Sequence, residues 1–223
     1  MRLRHGAQSL PGKAAPDPQL RLGEARLYVI TPDAAPERIL ALARAAARGG
    51  ADIVQLRHKS LARGELLTLA REMRETVGDG LFIVNDHVDI AMLSGADGVH
   101  LGPDDISVAA ARRVAGDQLL IGASASTVDA ARRAVEDGAD YIGCGPAFAT
   151  PVKSEKKVIG PQGVVAVAQA LPSVPVFAIG GIDEKNLSQL IAVGLRRACV
   201  IRAVADAPDP EEAARRLRGM LAT

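Results

Sequence analysis

Tryptophan is absent from these 223 residues, and two Tyr and three Phe leave aromatic content at 2%. So few rings exclude the stacking platforms on which single-stranded nucleic acid is bound. Surplus charge is lacking too. Lys and Arg number 27 against 26 Asp and Glu, a net charge of +1, so no global field draws the chain to nucleic acid or a membrane surface. There are only two cysteines, Cys144 and Cys199, each inside an apolar run. They cannot build a disulfide framework and read as small buried hydrophobes in a reducing cytoplasm. No apolar run approaches the ~20 residues that a transmembrane helix needs. The basic start of the chain lacks a continuous apolar stretch, because Gly, Pro and Ser interrupt it. Residues 1–24 therefore read as a flexible N-terminal extension rather than a secretory signal, and residues 25–223 as one domain.

What the chain does have is alternation. Short, mostly β-branched runs occur at Leu27–Ile30, Ile53–Leu56, Leu81–Val84, Gly98–Leu101, Leu119–Gly122, Tyr141–Gly143, Val176–Ile179 and Ala198–Ile201. They lack strict polar alternation, which implies burial on both faces, as in a parallel sheet. Between them, apolar residues recur at the helical period. The spacing predicts helices over Pro36–Arg48, Arg63–Val77, Val128–Glu136, Glu184–Val193 and Pro210–Leu221, with Thr127, Asp183 and Asp209 as caps. Several helix-to-strand joints repeat one texture: Gly50-Ala51-Asp52, Gly95-Ala96-Asp97 and Gly138-Ala139-Asp140, with Gly194-Leu195-Arg196-Arg197 in the same place. Eight such units predict a single (β/α)8 TIM barrel, an α/β fold. An open doubly wound sheet is the weaker reading, because no G-x-G-x-x-G fingerprint follows Leu27–Ile30.

In such a barrel, ligands sit at the carboxyl ends of the strands. The third and fourth runs release Asn85, Asp86, His100, Gly102, Asp104 and Asp105 there. Carboxylates from neighbouring strand ends suit a hard divalent cation, and Mg2+ commonly arrives with a phosphorylated substrate. Alternation along the second strand puts Gln55, Arg57 and Lys59 on one side, which reads either as charge gathered around an anion or as a solvated strand end. The fifth strand ends in hydroxyls at Ser124 and Ser126. The sixth opens a loop, Ala147–Gly160, carrying Thr150, Lys153, Lys156 and Lys157, which reads either as a lid over a polyanion or as a solvated charge run. Gly180-Gly181 permits close backbone approach to a phosphate. His100, flanked by Val99 and Leu101, reads as a hydrogen-bonded structural histidine, and His87 as a helix cap.

The segments VQLRHK, IVNDHVDIA, GADGVHLGPDD, IGASA, DYIGCGPAFATPVK and AIGGI resemble, in order and spacing, the signatures of the thiamine-phosphate synthase family, over about Leu27–Ala205. The superfamily includes thiazole tautomerase-like relatives. The resemblance implies a (β/α)8 barrel that joins hydroxymethylpyrimidine diphosphate to a thiazole phosphate, giving thiamine monophosphate and pyrophosphate. It implies that Gln55, Arg57, Lys59 and Asn85 hold the pyrimidine diphosphate and that Asp86 and Asp105 bind Mg2+. Ser124 and Lys153 would contact the diphosphate, with Arg57 and Lys59 sharing the catalytic work. Thr150 and Val152 would face the thiazole partner, and Gly181, Ile201 and Arg202 its phosphate.

Several positions depart from the family pattern. Arg-Glu-Lys is here Arg57-His58-Lys59, Gly-Gln is Gly102-Pro103, and Thr-Pro-Thr-Lys is Thr150-Pro151-Val152-Lys153. A serine after the eighth strand is replaced by Arg202, which either binds phosphate directly or faces outward. The acid–base histidine of the tautomerase relatives is Ser126. A thiazole-processing paralogue and a non-catalytic binder of thiamine intermediates remain alternatives at this level, and a homo-oligomer is left open.

Overall fold

A computed structural model describes residues 17–150 and 157–222. Eight parallel strands pair in sequence order, and the eighth returns to the first to close the barrel. They are β1 (Leu27–Ile30), β2 (Ile53–Leu56), β3 (Leu81–Asn85), β4 (Gly98–Leu101), β5 (Leu120–Ala125), β6 (Tyr141–Cys144), β7 (Val176–Ile179) and β8 (Ala198–Val200). The helices are α1 (Pro18–Glu24), α2 (Pro36–Arg48), α3 (Arg63–Val77), α4 (Val88–Ser94), α5 (Val108–Ala115), α6 (Val128–Glu136), α7 (Gly160–Ala170), α8 (Leu187–Ala192), α9 (Arg202–Ala205) and α10 (Pro210–Ala222). The single (β/α)8 barrel expected from the alternating textures is the observed architecture. None of these helices is long and apolar enough to cross a membrane.

Two expected boundaries move by three residues. β5 runs on through Ser124 and Ala125, which pair with Gly143 and Cys144 of β6, because small side chains do not interrupt a ladder. α8 starts later than Asp183 predicts. The Asp183 carboxylate accepts the N–H groups of Lys185 (2.9 Å) and Asn186 (3.1 Å), forming a turn ahead of the helix.

The strands are buried on both faces. On β1, Leu27 and Val29 face the helices, whereas Tyr28 and Ile30 face the barrel interior. Inside, Tyr28 packs 6.0 Å from Tyr141 and edge-on to Phe177 at 5.5 Å, centroid to centroid. Gly122 makes room for this cluster. A Cβ there would lie 2.1 Å from Tyr141 Cζ.

The repeated Gly-Ala-Asp texture has a structural cause. Asp52 accepts the backbone N–H groups of Arg26 (2.8 Å) and Leu27 (2.9 Å), at the start of β1. Asp97 does the same for Phe82 of β3 and Asp140 for Ile121 of β5, both at 2.7 Å. Each Asp thus precedes an even strand and holds the start of the preceding odd one. Arg197 breaks the series before β8, and its guanidinium donates to Gly23 O at 2.6 Å.

That last contact belongs to α1, which corrects the expected extent of the flexible extension. Asp17–Glu24 lies under the barrel. Gln19 donates to Asp140 (2.7 Å), Arg21 to Asp97 (2.8 Å), and Leu22, 1% exposed, enters the interior beside Ala25 and Tyr28. A helix that buries a single apolar residue does not announce itself by periodicity over seven residues. Residues 1–16 lie outside the described residues.

Candidate active site

A cavity of about 680 Å³ opens at the carboxyl ends of the strands, well within the usual range for small-molecule sites. Gln55, Arg57 and Lys59 line it together, as alternation along β2 predicts. His58 between them turns away and is only 8% exposed. Its Nδ1 accepts the N–H of Leu61 at 3.1 Å, and its Nε2 faces Ala34 O at 3.2 Å. The Glu-to-His departure therefore lies off the cavity, tying the loop after β2 to the loop after β1.

The loop after β1 also carries a residue that sequence reasoning passed over. Asp33 accepts from the backbone N–H of Lys59 (2.6 Å) and from the Arg57 guanidinium (2.9 Å), while Thr31 Oγ1 accepts the Arg57 N–H at 3.1 Å. Burial alone would raise the Asp33 carboxyl, but the Lys59 amide and the Arg57 charge hold it below the ordinary carboxylate value. The available signal was position: Thr31-Pro32-Asp33 directly follows a buried strand.

Asn85 and Asp86 line the next stretch of wall. Asp86 adopts a left-handed backbone conformation (φ 64°), yet its N–H still reaches His100 O at 2.9 Å. A non-glycine residue held there is a strained turn of the kind that clusters at functional sites. Lys59 Nζ lies 2.5 Å from its carboxylate. Asp105, fixed by the Gly102 N–H at 2.7 Å, lines the same stretch of wall beside Asp86. Burial would raise Asp86, but the Lys59 ammonium hydrogen-bonded to it outweighs burial and holds it low. Burial and the neighbouring Asp86 push Asp105 up. Two neighbouring carboxylates, one of them paired with the Lys59 ammonium, form a site with spare negative charge.

This donor set fits a hard divalent cation in part. Among the described residues no cluster of three His, Cys, Asp or Glu is present. Two carboxylates would therefore need phosphate oxygens and water to complete the shell, which is how Mg2+ is commonly held.

The opposite wall brings Ser124, Thr150, Gly181, Ile201 and Arg202 to the same cavity. Gly180 and Gly181 have φ of 100° and 63°, and a Cβ on Gly181 would lie 2.4 Å from Ala149 O. Glycine is needed there because the loop after β6 closes against the end of β7, with Ala147 N donating to Ile179 O and Phe148 N to Gly180 O. Arg202, exposed at the start of α9, is among the residues that line the cavity. The expected contacts of Val152 and Lys153 lie outside the described residues.

A buried polar chain joins the two walls. Gln55 Nε2 donates to Tyr28 Oη at 2.6 Å, and Tyr28 Oη lies 3.0 Å from Tyr141 Oη. His100 Nδ1 is 3.3 Å from Tyr141 Oη, and its Nε2 is 3.0 Å from Ser124 Oγ. His100 is thus hydrogen-bonded within the barrel, as read from its apolar neighbours. The two tyrosines were not foreseen as site residues, although a buried Tyr needs a partner and Gly122 signals a close approach. His87 makes no side-chain cap; its ring sits 3.0 Å from an Arg63 guanidinium nitrogen. Burial pushes the Cys144 thiol up to about 12 and Cys199 higher still, so neither is poised as a nucleophile.

A family model described as thiamine monophosphate synthase matches residues 27–204, nearly the whole barrel. The chain belongs to the thiamine monophosphate synthase family. A thiamine-phosphate synthase of Thermobifida fusca is 46% identical over 207 residues, covering 90% of this chain and 94% of that relative. One from Gloeobacter violaceus is 45% identical over 87% of this chain, which spans only 57% of that relative's length. Among solved structures, a thiamine phosphate pyrophosphorylase from Pyrococcus furiosus is 35% identical with a TM-score of 0.80, covering 91% of this chain and 98% of that one. Membership in the thiamine monophosphate synthase family thus rests on sequence and on shape.

Proposed function

We propose that this chain joins hydroxymethylpyrimidine diphosphate to a thiazole phosphate, releasing pyrophosphate and forming thiamine monophosphate, with Mg2+ as cofactor. The observation that carries the reading is the convergence of Arg57, Lys59, Asp86 and Asp105 on one wall of the cavity, with Lys59 in contact with Asp86. Cations placed beside paired carboxylates suit a diphosphate that arrives with a divalent cation. Asp86 and Asp105 would hold that cation, which when bound would neutralise charge on the leaving pyrophosphate.

The chain's own residues supply the remainder. Gln55 and Asn85 orient the pyrimidine, whose exocyclic amine releases electrons toward the methylene carbon as the C–O bond to pyrophosphate breaks. Arg57, Lys59 and Lys153 stabilise the negative charge that develops on the departing oxygen, and Ser124 donates to the diphosphate. The thiazole nitrogen then attacks the methylene carbon from a position set by Thr150 and Val152, with its phosphate near Gly181, Ile201 and Arg202. Holding the two substrates in line makes up the rest of the rate gain. No protein nucleophile is required, which fits two buried, unactivated thiols. His100 is the one histidine on the cavity wall among the described residues, and it is bonded into the barrel interior, which disfavours the tautomerase reading.

The test is pyrophosphate release from the purified protein with Mg2+, pyrimidine diphosphate and thiazole phosphate, each omitted in turn. Release must require all three. Asp86→Ala should lower it by orders of magnitude with the fold intact, and turnover equal to the parent would remove the metal assignment.

A further inference from the structure

We propose that the chain of hydrogen bonds from Gln55 to Ser124 runs in one direction, presenting an acceptor on one cavity wall and a donor on the other. The inference rests on the function proposed above for its choice of ligand, but not for its direction. Gln55 gives an amide N–H to Tyr28 Oη at 2.6 Å. Tyr28 Oη accepts there and has Tyr141 Oη within reach at 3.0 Å, so in the proposed chain its own proton goes to Tyr141. Tyr141 in turn passes its proton to His100 Nδ1 at 3.3 Å. A ring nitrogen accepts only when bare, so in this chain the ring proton sits on Nε2, facing Ser124 Oγ at 3.0 Å. Ser124 accepts it and keeps its hydroxyl proton to donate into the cavity.

At the other end, Gln55 has its amide nitrogen turned into the barrel. Its Oε1 is then the group offered to the cavity that Gln55 lines. Burial, the largest influence on both phenols, pushes them well above their ordinary value, so the protons of the chain stay in place. The rings themselves are held by Phe177, which meets both edge-on.

The consequence is a polarity match to one ligand class. An acceptor at Gln55 suits the exocyclic amine of an aminopyrimidine, and a donor at Ser124 suits a phosphate oxyanion. With the chain reversed, Gln55 would offer N–H groups and Ser124 only lone pairs, which would favour an oxopyrimidine and repel the anion. Tyr28, Tyr141 and His100 are therefore positioning residues that set specificity for amino over oxo through Gln55. Sites that hydrogen-bond a substrate group discriminate strongly against analogues lacking it, because a buried polar group is left unpaired.

Nitrogen NMR of the ligand-free protein with labelled histidines tests the direction, using His100→Asn to assign the signal. We expect His100 bare at Nδ1 and protonated at Nε2; the opposite tautomer overturns the proposal whatever the protein's activity. Tyr141→Phe keeps the ring and cuts the chain. It should give a mixture of His100 tautomers and lower the ratio of kcat/KM for aminopyrimidine over oxopyrimidine diphosphate at least tenfold. An unchanged ratio with an unchanged tautomer also overturns it. Should Tyr141→Phe not fold, Tyr28→Phe cuts the chain one link earlier, with the same expectations. A parent protein with the expected tautomer but no turnover would count against the reaction alone and leave the direction standing.

Discussion

Lys59 Nζ lies 2.5 Å from the Asp86 carboxylate, so the ends of β2 and β3 meet in an ion pair at the cavity wall. The ammonium occupies ground for which a divalent cation would compete. Unit charges at about 4 Å interact by about 1 kcal/mol in water, and Lys59 is half exposed, so that figure is an upper value here. Lys59→Ala should therefore tighten Mn2+ binding to the substrate-free protein by up to about fivefold, while lowering turnover with substrates present. Titration followed by electron paramagnetic resonance reads the first effect. Weaker Mn2+ binding in the variant would show that Lys59 helps to build the cation site.

The two carboxylates give this site a pH dependence of definite sign. Asp105 is raised and Asp86 is held low, so Asp105 is the group that carries a proton when the pH drops. A cation must displace that proton. Its affinity should fall as pH decreases through the raised Asp105 value, above the ordinary carboxylate range near 4. In the absence of cation the folded state holds this proton more tightly than the unfolded chain does. The contribution of Asp105 to stability is thus present below the unfolded value and declines as pH rises through the folded one. Mn2+ titrations at successive pH values would check the first statement; an affinity independent of pH between 4 and 7 would contradict it.

Leu22 is 1% exposed and fills the amino-terminal end of the barrel interior. Leu22→Ala should lower the unfolding free energy by about 2–5 kcal/mol, the range for large-to-small substitutions in cores. Turnover should change little, because α1 and the cavity lie at opposite ends of the strands. Urea unfolding monitored by circular dichroism measures the loss, and a variant as stable as the parent would mean that α1 contributes little to barrel stability.

Gly122→Ala addresses the close packing of the same interior. The added methyl would meet the Tyr141 ring, which Tyr28 and Phe177 hold from the other side. Overpacking of this kind costs about 1–3 kcal/mol, and here it also displaces a phenol from a hydrogen-bond chain. Reduced stability together with reduced turnover is the expected result. Loss of stability alone would show that the ring can move without disturbing Ser124.

Much of the barrel was legible in the sequence because its units are local. α2 and α3 begin and end where proline, glycine and the helical period place them, and Gly-Ala-Asp marks three strand entries whose carboxylates each hold a neighbouring strand. Arg57, Lys59, Asp86, Asp105 and Arg202 reach one cavity because strand alternation and parallel order send them there. The direction of His58, the pairing of Asp33 with Arg57 and the docking of α1 were not legible. Each depends on which loop or helix comes to lie beside it after closure.

Near neighbours in the chain were enough to show that eight strands would deliver charge and hydroxyls to one face, since they set period, caps and strand entries. That Tyr28 meets Tyr141, 113 residues away, and that His100 touches Ser124, follows from long-range packing alone. Those contacts form when β8 pairs with β1 and the interior closes. A buried hydroxyl must find a partner, but which one it finds is set by the closure of the whole barrel.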